Sequence, residues 1–290
     1  MHGLHPALAL LHPAARIGWS EFTVHWSTAA GLALFWGLYE WRSVVHRRAA
    51  GSAEESAGPT RAQRTMFVGG ILLMFASLNG PLHDLSDYYL FSAHMVQHLI
   101  LTLFVAPLFV LGTPGWMLRP ALRVKWVDTM ARAVTGPRVA FMIFNVVVAA
   151  WHLPPLYNTA MAYHNVHIVQ HLMFLVAAVL MWWPITSPLP ELPRLSYPGQ
   201  MLYLFLMSIP MSIVAIYVAM ADRVLYPAYS AAPRLWGITP LADQQIGGLI
   251  MWVPGGLYFF LVMSIVFFRW SEGGQDSAAG AQVGWKPAPQ

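Results

Sequence analysis

The sequence contains no cysteine, and only 10% of its 290 residues are charged. Without cysteine the chain has no disulfides, iron–sulfur clusters, thiolate zinc sites or cysteine nucleophile, so a bound metal must rely on other side chains. A soluble domain carries about 25% charged residues, whereas hydrophobic residues make up 57% of this chain. The composition therefore predicts a multi-pass membrane protein that binds lipid. The net charge of +4 resides in a few loops and indicates topology, not nucleic-acid binding.

The motifs of several enzyme classes are also missing. The Gly-x-Ser-x-Gly elbow of a serine hydrolase does not occur in the sequence. The His-Glu-x-x-His motif of an intramembrane metalloprotease is absent, because position 97 is a glutamine. Phosphate-binding loops are absent as well. We therefore expect a protein that is not an enzyme and has no catalytic residues.

Apolar segments recur at lengths near the ~20 residues that a bilayer requires. We predict an all-α fold, a polytopic membrane helical bundle of seven transmembrane helices. The predicted spans cover about residues 23–41, 66–82, 91–112, 138–153, 165–185, 199–221 and 244–268. Together they form a single membrane domain over residues 23–270. An extracytoplasmic N-terminal segment, 1–22, precedes this domain, and a flexible cytoplasmic tail, 271–290, follows it.

Basic residues predict the orientation, because Lys and Arg concentrate in cytoplasmic loops. The second linker between spans contains only the acids Asp84 and Asp87, and the fourth, 154–164, has no charge. The first and third linkers hold Arg42, Arg47, Arg48, Arg61, Arg64, Arg119, Arg123, Lys125, Arg132 and Arg138. This pattern predicts an N-terminus outside and a C-terminus in the cytoplasm.

Two seven-residue strings, HMVQHLI from His94 and HIVQHLM from His167, are identical at five of seven positions. Pro81 and Pro154 precede the two strings at the same distance. We interpret this as an internal hairpin repeat, about residues 66–112 and 138–185.

Each string contains a His-x-x-x-His motif, which places two imidazoles on one helix face because residues four apart are about one turn apart. Ionisable side chains inside a bilayer are costly and usually functional. The candidate metal ligands are therefore His94, His98, His167 and His171. The alternative interpretation is a set of buried histidines that are hydrogen-bonded to backbone or amide groups.

In the predicted topology, polar and metal-binding side chains of all seven spans lie in the outer part of the membrane. Four of them are secondary candidates for metal binding or transfer: His152, His164, His25 and Asp243. Three amides, Gln97, Gln170 and Gln244, are expected to support ligands or to bond across helices. For Asp243, capping of the last span is the alternative interpretation.

Neutral imidazole binds copper, zinc, iron and nickel. Copper is the first choice of ion, and zinc is an alternative. Haem b is the main competitor, because a bis-His haem takes one histidine from each of two facing helices. Two stacked haems are excluded, since four residues rise only ~6 Å. A metal-free cluster, hydrogen-bonded to the neighbouring glutamines, is the third possibility.

Further motifs join the two His-x-Val-Gln-His segments. They are the turn Thr113-Pro114-Gly115-Trp116, Trp151-His152-x-Pro154, and Asp243-Gln244-Gln245-x-Gly247-Gly248 with Met251-Trp252. With the seven spans, this set resembles the CtaG-type cytochrome c oxidase assembly factors of bacteria over about residues 20–270. The resemblance implies a multi-pass protein of the bacterial plasma (inner) membrane that is needed to assemble haem–copper oxidase, with a suspected role in copper supply.

We therefore expect a copper-binding chaperone that holds Cu(I) between the third and fifth spans, near the outer face. Its expected partners are cytochrome c oxidase subunits and a soluble extracytoplasmic copper chaperone. Two alternatives remain open at this stage: a haem-binding membrane redox or electron-transfer protein, and a metal-free assembly scaffold.

Overall fold

The computed structural model describes residues 24–50 and 58–283, with the backbone alone for residues 273–283. Every regular element in these residues is helical. In chain order they are α1 (Trp26–Ala49), α2 (Arg61–Ser77), α3 (Gly80–Tyr88), α4 (Phe91–Leu99), a π-helical segment (Ile100–Val105), α5 (Ala106–Gly112), α6 (Gly115–Leu122), α7 (Lys125–Thr135), α8 (Pro137–His152), α9 (Pro154–Ala162), α10 (His164–Thr186), α11 (Tyr197–Ala219), α12 (Pro227–Ser230) and α13 (Pro240–Val283). The predicted segment 1–22 lies outside the described residues.

Four stretches are long and apolar enough to cross a membrane: Phe91–Gly112, His164–Thr186, Tyr197–Ala219 and Pro240–Glu272. Two bent helix pairs pass the same test, α2 with α3 (46°) and α7 with α8 (73°), which gives up to six spans. The protein is thus a multi-pass, all-helical membrane protein. Helix α1, which matches the first predicted span, is not among these stretches, since Glu40 and Arg42 follow its apolar first half. The seven-span count and the orientation stay predictions.

Two similar trios of helices cover the residues of the predicted internal repeat, and the repeat itself stays a prediction. Each trio consists of a long helix (α2 or α8), a nine-residue helix (α3 or α9) and a histidine-bearing helix (α4 or α10). Both nine-residue helices have a proline in their first turn, where the missing N–H costs nothing. In α4 and in α10 the two motif histidines are the fourth and eighth residues. The corresponding histidines therefore occupy the same positions along the two helices.

Glycines allow α13 to approach the helices around the histidines. A Cβ added at Gly248 would lie 2.5 Å from the backbone nitrogen of Ala219 in α11. A Cβ at the neighbouring Gly247 would collide with the ring of Phe91 at the start of α4. Small residues permit such close helix packing inside a membrane, where no hydrophobic driving force pushes helices together.

The helix that carries His94 and His98 changes its winding directly after them. Residues Ile100–Val105 form π-type turns before α5 begins. Pro107 lacks an N–H and its ring crowds the carbonyl four residues earlier, which disfavours regular α-helix here. The indole nitrogen of Trp182 donates to the carbonyl of Thr102 at 2.8 Å and so ties this segment to α10. Single π turns inside helices often mark functional sites.

Helix α13 continues to Val283. The flexible tail expected from residue 271 stays a prediction. Residues 284–290 lie outside the described residues.

Candidate metal centre

The two histidines of α4 face each other at one helical turn. Their Nε2 atoms lie 2.9 Å apart, and both side chains are buried. At this distance the two nitrogens share a proton in an N–H···N hydrogen bond, or both lone pairs converge on one acceptor. The contact follows from the four-residue spacing, which brings side chains of successive turns together.

The pair on α10 completes a cluster of four imidazoles. His167 and His171 have ring centroids 4.4 Å apart. Across the two helices, the rings of His94 and His167 stack at 5.1 Å, and those of His98 and His171 meet edge to face at 5.2 Å. The structure thus brings together all four histidines of the sequence motif. Their role as ligands stays a prediction.

Two sets of donor atoms in this cluster have spacings that suit a metal ion. One nitrogen each from His94, His98 and His171 lie within 4.8 Å of one another. A second set with the same spacing consists of Asp87, His94 and His167. An ion bound about 2.0–2.2 Å from two donors holds them about 3.3–4 Å apart, so small side-chain rotations would close either set around it.

Several nitrogens in the cluster have no hydrogen-bond partner among the described residues, although they are shielded from solvent. They are Nδ1 of His98 and Nε2 of His152, His167 and His171. Each such orphaned polar atom costs about 1–3 kcal/mol. A cation that accepts the lone pairs of His98 and His171 would remove part of this cost, so the donor set fits a metal ion. An apolar ligand would not satisfy these nitrogens.

Tyr229, in the loop helix α12, contacts Nδ1 of His94, the ring nitrogen that does not face His98. Its hydroxyl lies 2.9 Å from Nδ1 of His94 and donates to the carbonyl of Ser86 at 2.8 Å. Burial raises the pKa of Tyr229 well above its usual range, so the phenol keeps its proton. The same hydroxyl lies 3.1 Å from that of Tyr157. We expect the Tyr229 proton to go to the carbonyl of Ser86, in which case the Tyr229 oxygen accepts from Nδ1–H of His94. The lone pair of His94 is then on Nε2, the atom that faces His98.

Asp87 lies beside His167, as Tyr229 lies beside His94. It was not among the candidate site residues predicted from the sequence. Its Oδ2 lies 3.7 Å from Nδ1 of His167 and 3.5 Å from Nε2 of His83. The carboxylate therefore sits between two imidazoles, with only about a tenth of its side chain exposed. In the sequence Asp87 lies in a linker whose only charges are acidic. Its spacing of four residues from His83 would have predicted that the two side chains share one helix face.

Asp243 contacts the start of α4 instead of the imidazoles. Its two carboxylate oxygens accept hydrogen bonds from the backbone nitrogens of Phe91 (2.7 Å) and Ser92 (3.1 Å). These N–H groups have no partners within the helix, and a negative charge at a helix N-terminus is favourable. Asp243 thus caps α4 from α13 and sets where the His94–His98 helix begins.

The three amides differ in their contacts. Gln97 donates to the carbonyl of Ser77 at 2.6 Å and lies 3.3 Å from Nδ1 of His83, so it joins α4 to α2 and α3. Gln244 accepts from the backbone nitrogen of Leu225 at 2.6 Å and holds the loop before α12. Gln170 is fully buried, and neither of its amide atoms has a partner among the described residues.

The remaining candidate histidines surround the cluster. The ring of His152 lies 6.3 Å from that of His98, and its Nδ1 lies 2.7 Å from the carbonyl of Val148. The ring of His25 packs edge to face on His83 at 4.4 Å. His164, at the first position of α10, is exposed.

A cavity of about 610 Å³ opens beside the cluster, between α1, α2, α5 and α10. Most of its wall is apolar. Its polar residues include His25, His83, Asp87, His164, His167 and His171. The cavity therefore leads to one side of the imidazole cluster.

These features define a multi-pass helical membrane protein with a buried cluster of histidines. The family model for the cytochrome c oxidase caa3 assembly factor (Caa3_CtaG) matches residues 37–273, which is most of the chain. The protein belongs to this family of oxidase assembly factors, as the resemblance noted from sequence predicted.

Three mycobacterial relatives are similar to part of the chain. Uncharacterized proteins of Mycobacterium bovis and Mycobacterium tuberculosis are each 27% identical over 199 residues, which is 63% of this chain and 30% of theirs. An uncharacterized protein of Mycobacterium leprae is 26% identical over 220 residues, 70% of this chain and 33% of its own. The chain thus spans about a third of the length of these relatives. No solved structure matches.

Proposed function

We propose that the protein holds a copper ion, as Cu(I), at the imidazole cluster and passes it to a haem–copper cytochrome c oxidase during assembly. His94, His98 and His171 are the ligands, and His167 is the fourth histidine at hand. In this proposal seven spans place the cluster near the outer face of the plasma membrane, with the N-terminus outside. Oxidase subunits and a soluble extracytoplasmic copper chaperone are the partners.

The observation that carries the proposal is the set of three nitrogen donors within 4.8 Å, in which no carboxylate takes part. Burying a divalent ion among neutral ligands alone is costly, and a monovalent ion reduces that cost. Imidazole is a good ligand for copper, and the chain has no thiolate to compete for the ion. Zinc, which three imidazoles also bind, is the alternative ion.

A holding and transfer role also fits the surroundings of the cluster. A carrier must bind its ion without enclosing it, since the receiving protein has to reach it. Here His94 and His98 are buried, whereas His171 lies partly exposed on the cavity wall. Membership of an assembly-factor family supports the link to the oxidase, and this role requires no catalytic step.

The test is the copper content of full-length protein purified gently in detergent, with histidine variants compared with wild type. His94→Ala and His171→Ala should lose the stoichiometric copper and keep their helical content. His46→Ala is a matched control, because His46 stacks on Trp116 (3.8 Å between ring centroids), away from the cluster. Equal copper in all four proteins would contradict the ligand assignment.

Haem is the second candidate, because the 610 Å³ cavity has several histidines on its wall. A Soret band in protein from haem-replete cells would favour that function. A colourless preparation that contains copper would exclude it. Purified protein with neither metal would support the scaffold, in which the histidines bond one another.

A further inference from the structure

The cavity wall divides the metal cluster into two halves. Asp87, His167 and His171 line the cavity, whereas His94 and His98 lie behind them and do not. His94 is fully buried and His98 is nearly so. An ion that arrives through the cavity therefore meets Asp87, His167 and His171 before it can reach the two histidines of α4.

The spacing at Asp87 suits an ion better than a hydrogen bond. Its Oδ2 lies 3.7 Å from Nδ1 of His167, longer than the 2.7–3.2 Å of a good hydrogen bond. A distance of about 3.3–4 Å is what two donors keep when both bind one ion at about 2.0–2.2 Å. His83 contacts the same oxygen at 3.5 Å and is itself held by Gln97, so the carboxylate is oriented from the other side.

The two donor sets have one member in common. His94 belongs with Asp87 and His167, and also with His98 and His171. Two cations that both depended on His94 would be only a few ångströms apart, where their repulsion is large in a low-dielectric interior. One ion at a time can therefore occupy the cluster, in either of two adjacent positions.

The two positions differ in charge. The position at Asp87 supplies an anionic ligand, which lowers the cost of bringing a cation out of water. The position at His98 and His171 is made only of neutral imidazoles. A cation can thus lose its water shell beside the carboxylate first and exchange ligands afterwards, so that it stays coordinated throughout.

We propose that Asp87 and His167 form a receiving position on the cavity wall, from which one Cu(I) ion moves to the all-imidazole position at His98 and His171 while His94 stays bound. This step rests on the proposed function. The bonds from the ion to Asp87 and His167 break as those to His98 and His171 form. The ion keeps its charge, and no proton or electron is transferred, because each imidazole offers an existing lone pair.

The first experiment measures loading of the full-length, metal-free protein from the Cu(I)–bicinchoninate complex by stopped-flow loss of its colour. Asp87→Asn keeps the shape of the side chain and removes its charge. We expect its loading rate to fall by about tenfold or more, with one copper still bound at the end. Asp84→Asn is the matched control, because Asp84 lies on the same helix, is buried, and belongs to neither donor set. It should load at the wild-type rate.

The second experiment identifies the receiving position directly. His98→Ala removes a ligand of the all-imidazole position only, so at high Cu(I) the ion should be retained, with two imidazoles per copper in X-ray absorption. Adding Asp87→Asn should abolish this binding.

Loading of Asp87→Asn as fast as Asp84→Asn would overturn the proposal, whatever its final affinity. So would copper that stays bound when Asp87→Asn is added to His98→Ala. Wild-type protein that takes up no copper would instead refute the proposed function, and the two failures are therefore distinguishable.

Discussion

The cap that Asp243 places on α4 gives a sharp prediction, because the same residue is also a candidate for metal binding. Both of its oxygens accept backbone N–H groups, from Phe91 at 2.7 Å and from Ser92 at 3.1 Å, in a fully buried setting. Replacement by alanine would remove the acceptor of these two donors, and of the Ser92 hydroxyl that donates to Oδ1 at 2.5 Å, at the start of the helix that carries His94 and His98. We therefore expect Asp243 to act on the stability of α4, and on copper only through it.

The magnitude follows from the contacts. Hydrogen bonds to charged groups contribute about 1.5–3 kcal/mol each, and loss of an N-cap costs about 0.5–2 kcal/mol. These effects overlap, so Asp243→Ala should lower the free energy of unfolding by about 3 kcal/mol. Asp243→Asn keeps one acceptor oxygen and loses the charge, and should cost about half as much.

The assay is reversible unfolding of the metal-free, full-length protein in mixed detergent and SDS micelles, combined with a Cu(I) competition titration of the folded protein. Asp243→Ala should be destabilised, and its Cu(I) affinity should change less than about tenfold, below the range for loss of a ligand-orienting contact. His98→Ala should lose stability too, because it empties a buried site, but its Cu(I) affinity should fall by far more than about tenfold. The reasoning is refuted if Asp243→Asn keeps full metal-free stability and loses copper, since Asp243 would then be a ligand.

Two further predictions concern orientation and packing. Tyr229→Phe removes the oxygen that accepts from Nδ1 of His94, so Cu(I) affinity measured by competition should fall by about tenfold. The control is Tyr226→Phe, which removes a hydroxyl bonded to a backbone carbonyl at 2.8 Å and should leave the Cu(I) affinity unchanged. Equal losses of affinity in the two variants would count against the role of Tyr229 in orienting His94. Gly248→Ala places a Cβ against the backbone of α11 and should cost about 1–3 kcal/mol in the same unfolding assay. Gly256→Ala, where no atom lies within 4 Å, should be neutral or stabilise by up to about 1 kcal/mol, and the reverse order would refute the packing argument.

The grouping of the four histidines could be predicted because it depends on local regularities. A four-residue spacing places two imidazoles on one face of any helix, and a copied hairpin repeats that geometry. The family could be predicted too, since its motifs are short and ordered along the chain. The apolar runs that predicted a membrane bundle likewise depend on composition alone.

The residues that support the cluster could not be predicted, because they reach it through contacts distant in sequence. Tyr229 lies 135 residues from His94, and Asp243 lies 152 residues from Phe91. Asp87 reaches His167 because the chain bends by 46° between α2 and α3, which turns an apparent acidic linker toward the cluster. Such convergence depends on tertiary packing and leaves no periodic pattern in the chain.

Copper binding by the imidazole cluster can be measured by X-ray absorption at the copper edge of the gently purified wild-type protein, together with its copper content. We expect about one copper per chain, as Cu(I), with three or four nitrogen ligands at about 2.0 Å. A preparation without copper, a sulfur ligand at about 2.3 Å, or iron held in a macrocycle would contradict it.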